Sequence, residues 1–99
     1  MYIVEQIRFH GDPEKLEAMV AELTVSGDLD QIRRQEGCIY FDFFGSVERK
    51  DELLLAEKWK SAQALSDHHQ TGMMEHLRSL LQKYDFQLQA EKYEVPAQS

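Results

Sequence analysis

Apolar, β-branched and aromatic side chains dominate residues 2–9 (Tyr-Ile-Val-Glu-Gln-Ile-Arg-Phe), which predicts a strand punctuated by His10-Gly11. Asp12-Pro13 then predicts a helix start. The Asp12 carboxylate can accept from orphan backbone N–H groups, and Pro13 suits the first helical position. Leu16, Met19, Val20 and Leu23 follow at i, i+3, i+4, i+7, one apolar stripe. Ser26-Gly27-Asp28 breaks the pattern, and a short helical piece resumes over Leu29–Arg34. After a Glu36-Gly37 turn, residues 38–44 (Cys-Ile-Tyr-Phe-Asp-Phe-Phe) read as a strand, and polar Ser46–Asp51 as a hairpin connection. Glu52–Lys60 is the next strand, with Trp59 at its end. Ser61 caps a helix over Ala62–Gln70, Thr71-Gly72 interrupts it, and a second helical segment carries Met73, Met74, Leu77, Leu80 and Leu81. Residues 84–94 read as a last strand, with Phe86, Leu88 and Ala90 on one face. The order β-α-β-β-α-β predicts an α+β, ferredoxin-like domain with an antiparallel sheet over residues 1–95, and a loose tail at 96–99.

The second strand adds an expectation about assembly. Alternation points Ile39, Phe41 and Phe43 one way and Tyr40, Asp42 and Phe44 the other, so both faces carry large apolar groups. Helices in a two-layer domain cover one face only. The other is expected to be covered by a second copy, in a homodimer packed sheet to sheet.

A length of 99 residues leaves room for one core and no second domain. The net charge of -7 argues against a nucleic-acid or anionic-membrane partner, because phosphate binding rests on Lys and Arg. A hydrophobic content of 42% argues against disorder. Apolar runs are short, as at Leu53–Leu54–Leu55, so no membrane span is expected. Met1-Tyr2-Ile3-Val4-Glu5 shows no basic, signal-like start. One cysteine, Cys38, excludes an internal disulfide and suggests the reducing cytoplasm, with Cys38 itself a buried small hydrophobe.

Two stretches carry a family resemblance. Glu36-Gly37-Cys38-Ile39-Tyr40-Phe41-Asp42-Phe43 resembles the E-P-G-C-x-x-Y lead-in to the second strand of antibiotic biosynthesis monooxygenase (ABM) domains. Glu57-Lys58-Trp59-Lys60-Ser61, then Ala64-Leu65 and His68, resembles the family's E-x-W-x-S-x-x-A-L-x-x-H. The resemblance spans about residues 2–95. It implies a ferredoxin-like fold dimerised into an α+β barrel, with the site between helices and sheet. Some members of the family oxygenate quinols or polyketide phenols without metal or flavin; others degrade haem or handle signalling molecules. This chain departs from the family at Thr71-Gly72-Met73-Met74, where T-P-H-F is common, so the proline and second histidine are absent. The three functional positions of the haem-degrading branch fall near Gln6, at His68 and at Arg78, none of which matches, and haem degradation is disfavoured.

Cofactor-free oxygenation needs a base, since an ionised phenol or quinol gives an electron to dioxygen more readily than the neutral form. Histidine is the first candidate. His68 follows Leu65 by three residues and can face the sheet, as a pocket base or as a hydrogen-bonded packing histidine. His69 turns about 100° away and is expected to be exposed. His76 is a substitute for the missing second histidine. His10, at a strand end, is expected at the surface. Asp42 either orients a histidine or forms a salt bridge, for example to Arg8. Phe9, Tyr40, Phe44, Trp59, Leu65, Met73, Met74 and Leu77 are the expected lining of an apolar substrate pocket, although the Met73–Leu81 stripe also suits a core. The spacing of His68-His69 and Glu75-His76 is not that of a metal motif, H-E-x-x-H is absent, and neither metal nor cofactor is expected. There is no Gly-rich phosphate loop and no G-x-S-x-G. Two functions remain open: a cofactor-independent monooxygenase for a small quinol or phenolic compound, and a non-catalytic small-molecule binding or stress-associated protein on the same dimeric scaffold.

Overall fold

A computed structural model describes residues 1–96. Its elements are β1 (Tyr2–His10), α1 (Pro13–Val25), α2 (Asp28–Arg33), β2 (Cys38–Gly45), β3 (Glu52–Trp59), α3 (Ala62–His69), α4 (Gly72–Tyr84) and β4 (Gln87–Val95). The strands form one antiparallel sheet in the order β2-β3-β1-β4, and all four helices lie on one face of it. This is the ferredoxin-like α+β architecture expected from the element order. Of the expected tail, residues 97–99 lie outside the described residues.

Local signals act where the sequence places them. Asp12 Oδ1 accepts from the N–H groups of Glu14 at 2.9 Å and Lys15 at 3.2 Å, and Pro13 opens α1. Ser61 Oγ accepts from Ala64 N–H at 3.1 Å and fixes the start of α3 against the end of β3. Gly37 turns with φ of +87°, and a Cβ there would stand 2.6 Å from Ala64 Cβ. The turn before β2 therefore packs directly on α3, and only glycine fits.

Two boundaries differ from expectation. The last helix continues through Tyr84, because Leu77, Leu80, Leu81 and Tyr84 prolong its apolar stripe, and Asp85 ends it in the left-handed region at φ of +55°. The final strand thus begins at Gln87 rather than residue 84, and Phe86 lies in the connection, stacked on Tyr84 at 5.6 Å. In β2, the ladder slips between Cys38 and Tyr40, so Ile39 is bulged and 43% exposed instead of aligning with Phe41 and Phe43.

Cross-strand register sorts the side chains. Residues directly opposite share a face, so Ile3, Glu5, Ile7 and Phe9 of β1 line up with Trp59, Glu57, Leu55 and Leu53 of β3 towards the helices. Phe41 and Phe43 join them from β2. With Leu16, Met19, Leu23, Leu65, Leu77 and Leu80 from the helices they make the core. The other face carries Tyr40, Asp42 and Phe44 of β2, Leu54, Ala56 and Lys58 of β3, and Val4 and Tyr93 of the strands beyond. No element among the described residues covers it, and Tyr40, Phe44 and Tyr93 are 37%, 54% and 47% exposed.

Candidate active site

On the helix-facing side of the sheet, β1 and β3 set Glu5 directly opposite Glu57, and β4 sets Lys92 opposite Glu5 from its other side. Glu57 is buried, and Trp59 Nε1 donates to its Oε1 at 2.8 Å. Burial raises the Glu57 carboxyl to about 7; the Trp59 N–H opposes that rise, and the charge and hydrogen bond of Glu5 add to it. His69, at the end of α3, reaches over the pair with Nε2 3.8 Å from Glu5 Oε1.

His68 lies beside this pair and is only 1% exposed. Its ring stacks on Trp59 at 4.6 Å between centroids and meets the edge of Phe41 at 5.6 Å. Nδ1 lies 2.7 Å from Gln35 Oε1. An amide oxygen only accepts, so that pairing assigns the ring proton to Nδ1 and leaves the Nε2 lone pair available. Burial, reinforced by the neighbouring His69, lowers the His68 imidazole to about 4. At neutral pH it is therefore an uncharged ring with a basic nitrogen among aromatic neighbours.

An open cleft of about 600 Å³ lies between α1 and the β2–β3 hairpin, with Leu16, Val20, Phe43 and Leu53 on its floor and Arg49 and Lys50 among its walls. That volume falls in the ordinary range for small-molecule sites. The cleft and the histidine are not in contact. They are joined by a row of rings, with Phe43 6.2 Å from Phe41 and Phe41 packed on His68.

Comparison with known proteins identifies the family. The model of the antibiotic biosynthesis monooxygenase family matches residues 2–79. The chain belongs to the ABM family. Similar solved structures include a conserved protein of unknown function from Bacteroides thetaiotaomicron, at 22% identity and TM-score 0.83, covering 95% of this chain and 97% of that one. A Nitrosomonas europaea protein provisionally described as an antibiotic biosynthesis monooxygenase aligns at 19% identity and TM-score 0.83, over 97% and 91% of the two chains. A variant of SnoaB, a cofactor-independent oxygenase from Streptomyces nogalater, aligns at 15% identity and TM-score 0.73, over 95% and 92%. At these identities the likeness concerns the fold. No curated protein sequence matches the chain.

Within this ABM domain the family-like residues Glu57, Trp59, Ser61, Ala64, Leu65 and His68 form one physical unit. Glu57 holds Trp59, Trp59 carries His68, Ser61 starts the helix that delivers His68, and Ala64 receives the Gly37 turn. The other residues expected from sequence are dispersed. His76 pairs with Asp28, between α4 and α2, and not with His68. Asp42 lies on the uncovered face, and its cation is Arg33 at 3.4 Å rather than Arg8. Arg33 also donates to the Phe41 carbonyl at 2.9 Å, closing the edge of β2.

The single expected pocket is not formed. Tyr40 and Phe44 face away from the helices, across the sheet from Trp59, because strand alternation puts them opposite Phe41 and Phe43. Phe9, Trp59, Leu65 and Leu77 are packed in the core, with Met73 and Met74 partly buried against it. None of these residues borders the 600 Å³ cleft. His69 is partly covered through its approach to Glu5 rather than fully exposed, whereas His10 is at the surface as expected. Cys38 packs against the core, and burial pushes its thiol up to about 11, which fits an inert small hydrophobe. Glu5, Glu57 and Gln35 are absent from the sequence-based site. The signal for the two carboxyls was present: each is the one charged residue on an otherwise apolar period-two face, Ile3-Glu5-Ile7-Phe9 and Leu53-Leu55-Glu57-Trp59.

Proposed function

We propose that this ABM chain is a cofactor-independent monooxygenase for a small quinol or phenolic compound, with His68 as its base. The observation that carries the proposal is the buried, uncharged His68, whose Nδ1 proton is tied to Gln35 and whose ring packs on Trp59 and Phe41. A neutral imidazole can take the phenolic proton. In a substrate with a ring carbon that still bears hydrogen para to the hydroxyl, the resulting phenolate gives an electron to dioxygen; the oxygen species couples to that carbon, and loss of its hydrogen with the outer oxygen as water leaves the quinone. One oxygen atom enters product and the other leaves as water, with all electrons supplied by substrate. Family membership and the cleft beside Phe43 support a small aromatic substrate. The Phe43 and Phe41 rings lie between the cleft and His68. A reducing, cytoplasmic setting suits the one free cysteine.

The uncovered sheet face completes the proposal. Its apolar and aromatic groups, Tyr40, Phe44, Leu54, Val4 and Tyr93, suit a second copy of the chain, giving a homodimer packed sheet to sheet. One observation favours the alternative of a non-catalytic small-molecule binder: His68 is sealed at 1% exposure, apart from the cleft. Oxygen uptake with 1-naphthol and simple phenols, in the presence of a chelator, separates the two. Turnover lost in His68→Ala supports the oxygenase, whereas ligand binding without oxygen uptake supports the binder.

A further inference from the structure

We propose that His10, Asp51 and Glu52 form a divalent transition-metal site at the end of the β1–β3 pair, separate from the aromatic centre. The proposal does not rest on the oxygenase function. The register sets His10 directly opposite Glu52, so both side chains leave the same face of the sheet. Asp51 precedes Glu52 and is held against the end of β1, where Gly11 N–H donates to the Asp51 carbonyl at 3.1 Å. His10 Nδ1 stands 3.2 Å from Glu52 Oε1 and 3.6 Å from Asp51 Oδ2, and the ligand atoms of all three residues lie within 4.8 Å of one another. A metal bound at about 2.1 Å separates neighbouring ligand atoms by about 3.0 Å in an octahedron and about 3.4 Å in a tetrahedron. The two histidine–carboxylate spacings fall near those values without rearrangement of the backbone.

One imidazole with two carboxylates is a donor set for Zn²⁺, Co²⁺ or Mn²⁺, whereas Cu(I) prefers sulfur and Ca²⁺ more oxygens. Three protein ligands leave the remaining coordination positions to water. The His10 and Asp51 side chains are 47% and 45% exposed, so an ion enters without opening the fold. Arg8 and Arg49 border the hollow next to Glu52, and their positive charge predicts weak rather than tight binding. A bound ion would fasten the β2–β3 connection to the end of β1, stiffening the wall of the cleft that carries Arg49 and Lys50. A second histidine–carboxylate pair, His76 with Asp28, supplies only two ligands and serves as the control.

The experiment is calorimetric titration of the tag-free, chelator-stripped chain with Zn²⁺, with the melting temperature recorded alongside. One ion per chain and a raised melting temperature are expected. His10→Ala and Asp51→Asn should each weaken uptake by at least the roughly 10–100-fold that follows loss of an outer-sphere partner, while His76→Ala leaves it unchanged. Far-UV circular dichroism verifies the fold of each variant, and Glu52→Gln, the mildest change, tests the same point should His10→Ala not fold. Absence of saturable uptake overturns the proposal. So does uptake that survives the His10, Asp51 and Glu52 substitutions, or that is lost in His76→Ala instead.

Discussion

Two buried groups of opposite chemistry make the pH dependence of stability a sharp test of the site. Glu57 rises from 4.5 to about 7 on folding, mainly through burial. Between these values the unfolded chain has released a proton that the native protein still holds. The stability Glu57 contributes is therefore full below 4.5 and is lost as pH rises through about 7. At 1.36 kcal/mol per pKa unit this loss amounts to about 3 kcal/mol. His68 falls from 6.5 to about 4 through burial and the adjacent His69. Between those values the unfolded chain binds a proton that the native protein refuses, so stability is present above 6.5 and is lost as pH falls through about 4. Allowing for screening by solvent near α3, this loss is about 2 kcal/mol. Between 4.5 and 6.5 the two slopes oppose and largely cancel. Single variants expose them. Glu57→Gln keeps an acceptor for Trp59 and removes the titration, so its stability relative to wild type should rise by about 3 kcal/mol from pH 4.5 to pH 7. His68→Asn keeps a donor for Gln35, and its stability relative to wild type should fall by about 2 kcal/mol from pH 4 to pH 6.5. Urea unfolding at fixed ionic strength measures both differences. Parallel pH profiles for the three proteins would refute the assignment of a buried, protonated Glu57 beside a buried, neutral His68.

Phe44→Lys, on the uncovered face, should convert a dimer to monomer in light scattering while leaving the fold intact; a dimer that persists would place the interface elsewhere. Trp59→Ala removes a fully buried side chain that holds both Glu57 and His68, and should cost about 3–5 kcal/mol in chemical denaturation. An unchanged denaturation midpoint would contradict the packing around Trp59.

The fold was legible because local signals and hydrophobic period agree. Asp12-Pro13 and Ser61 start helices where they stand, Gly37 turns where glycine is needed, and the strands alternate. The boundary at Tyr84 was harder, since an aromatic residue next to Phe86 fits strand and helix patterns equally. Helical spacing to Leu65 marks His68, and the position before the Ser61 cap marks Trp59. The meaning of Glu5 and Glu57 lies in cross-strand register, and a strand alone does not reveal its partner, although both stand on faces that are otherwise apolar in sequence. The expected pocket combines the two faces of the sheet, Phe9 and Trp59 on one and Tyr40 and Phe44 on the other, because alternation within β2 does not say which parity meets the helices. The Ile39 bulge has no signal in spacing at all.

Oxygen consumption by the wild-type chain and its His68→Ala variant, with 1-naphthol, whose para carbon bears hydrogen, and a chelator present, tests the proposed oxygenase chemistry. Wild type should consume oxygen and release quinone, and His68→Ala should retain its fold and lose about 10²–10⁴-fold in rate, the contribution of a general base. Equal oxygen consumption by both proteins, or none by wild type across quinols and phenols that bind the cleft, would contradict it.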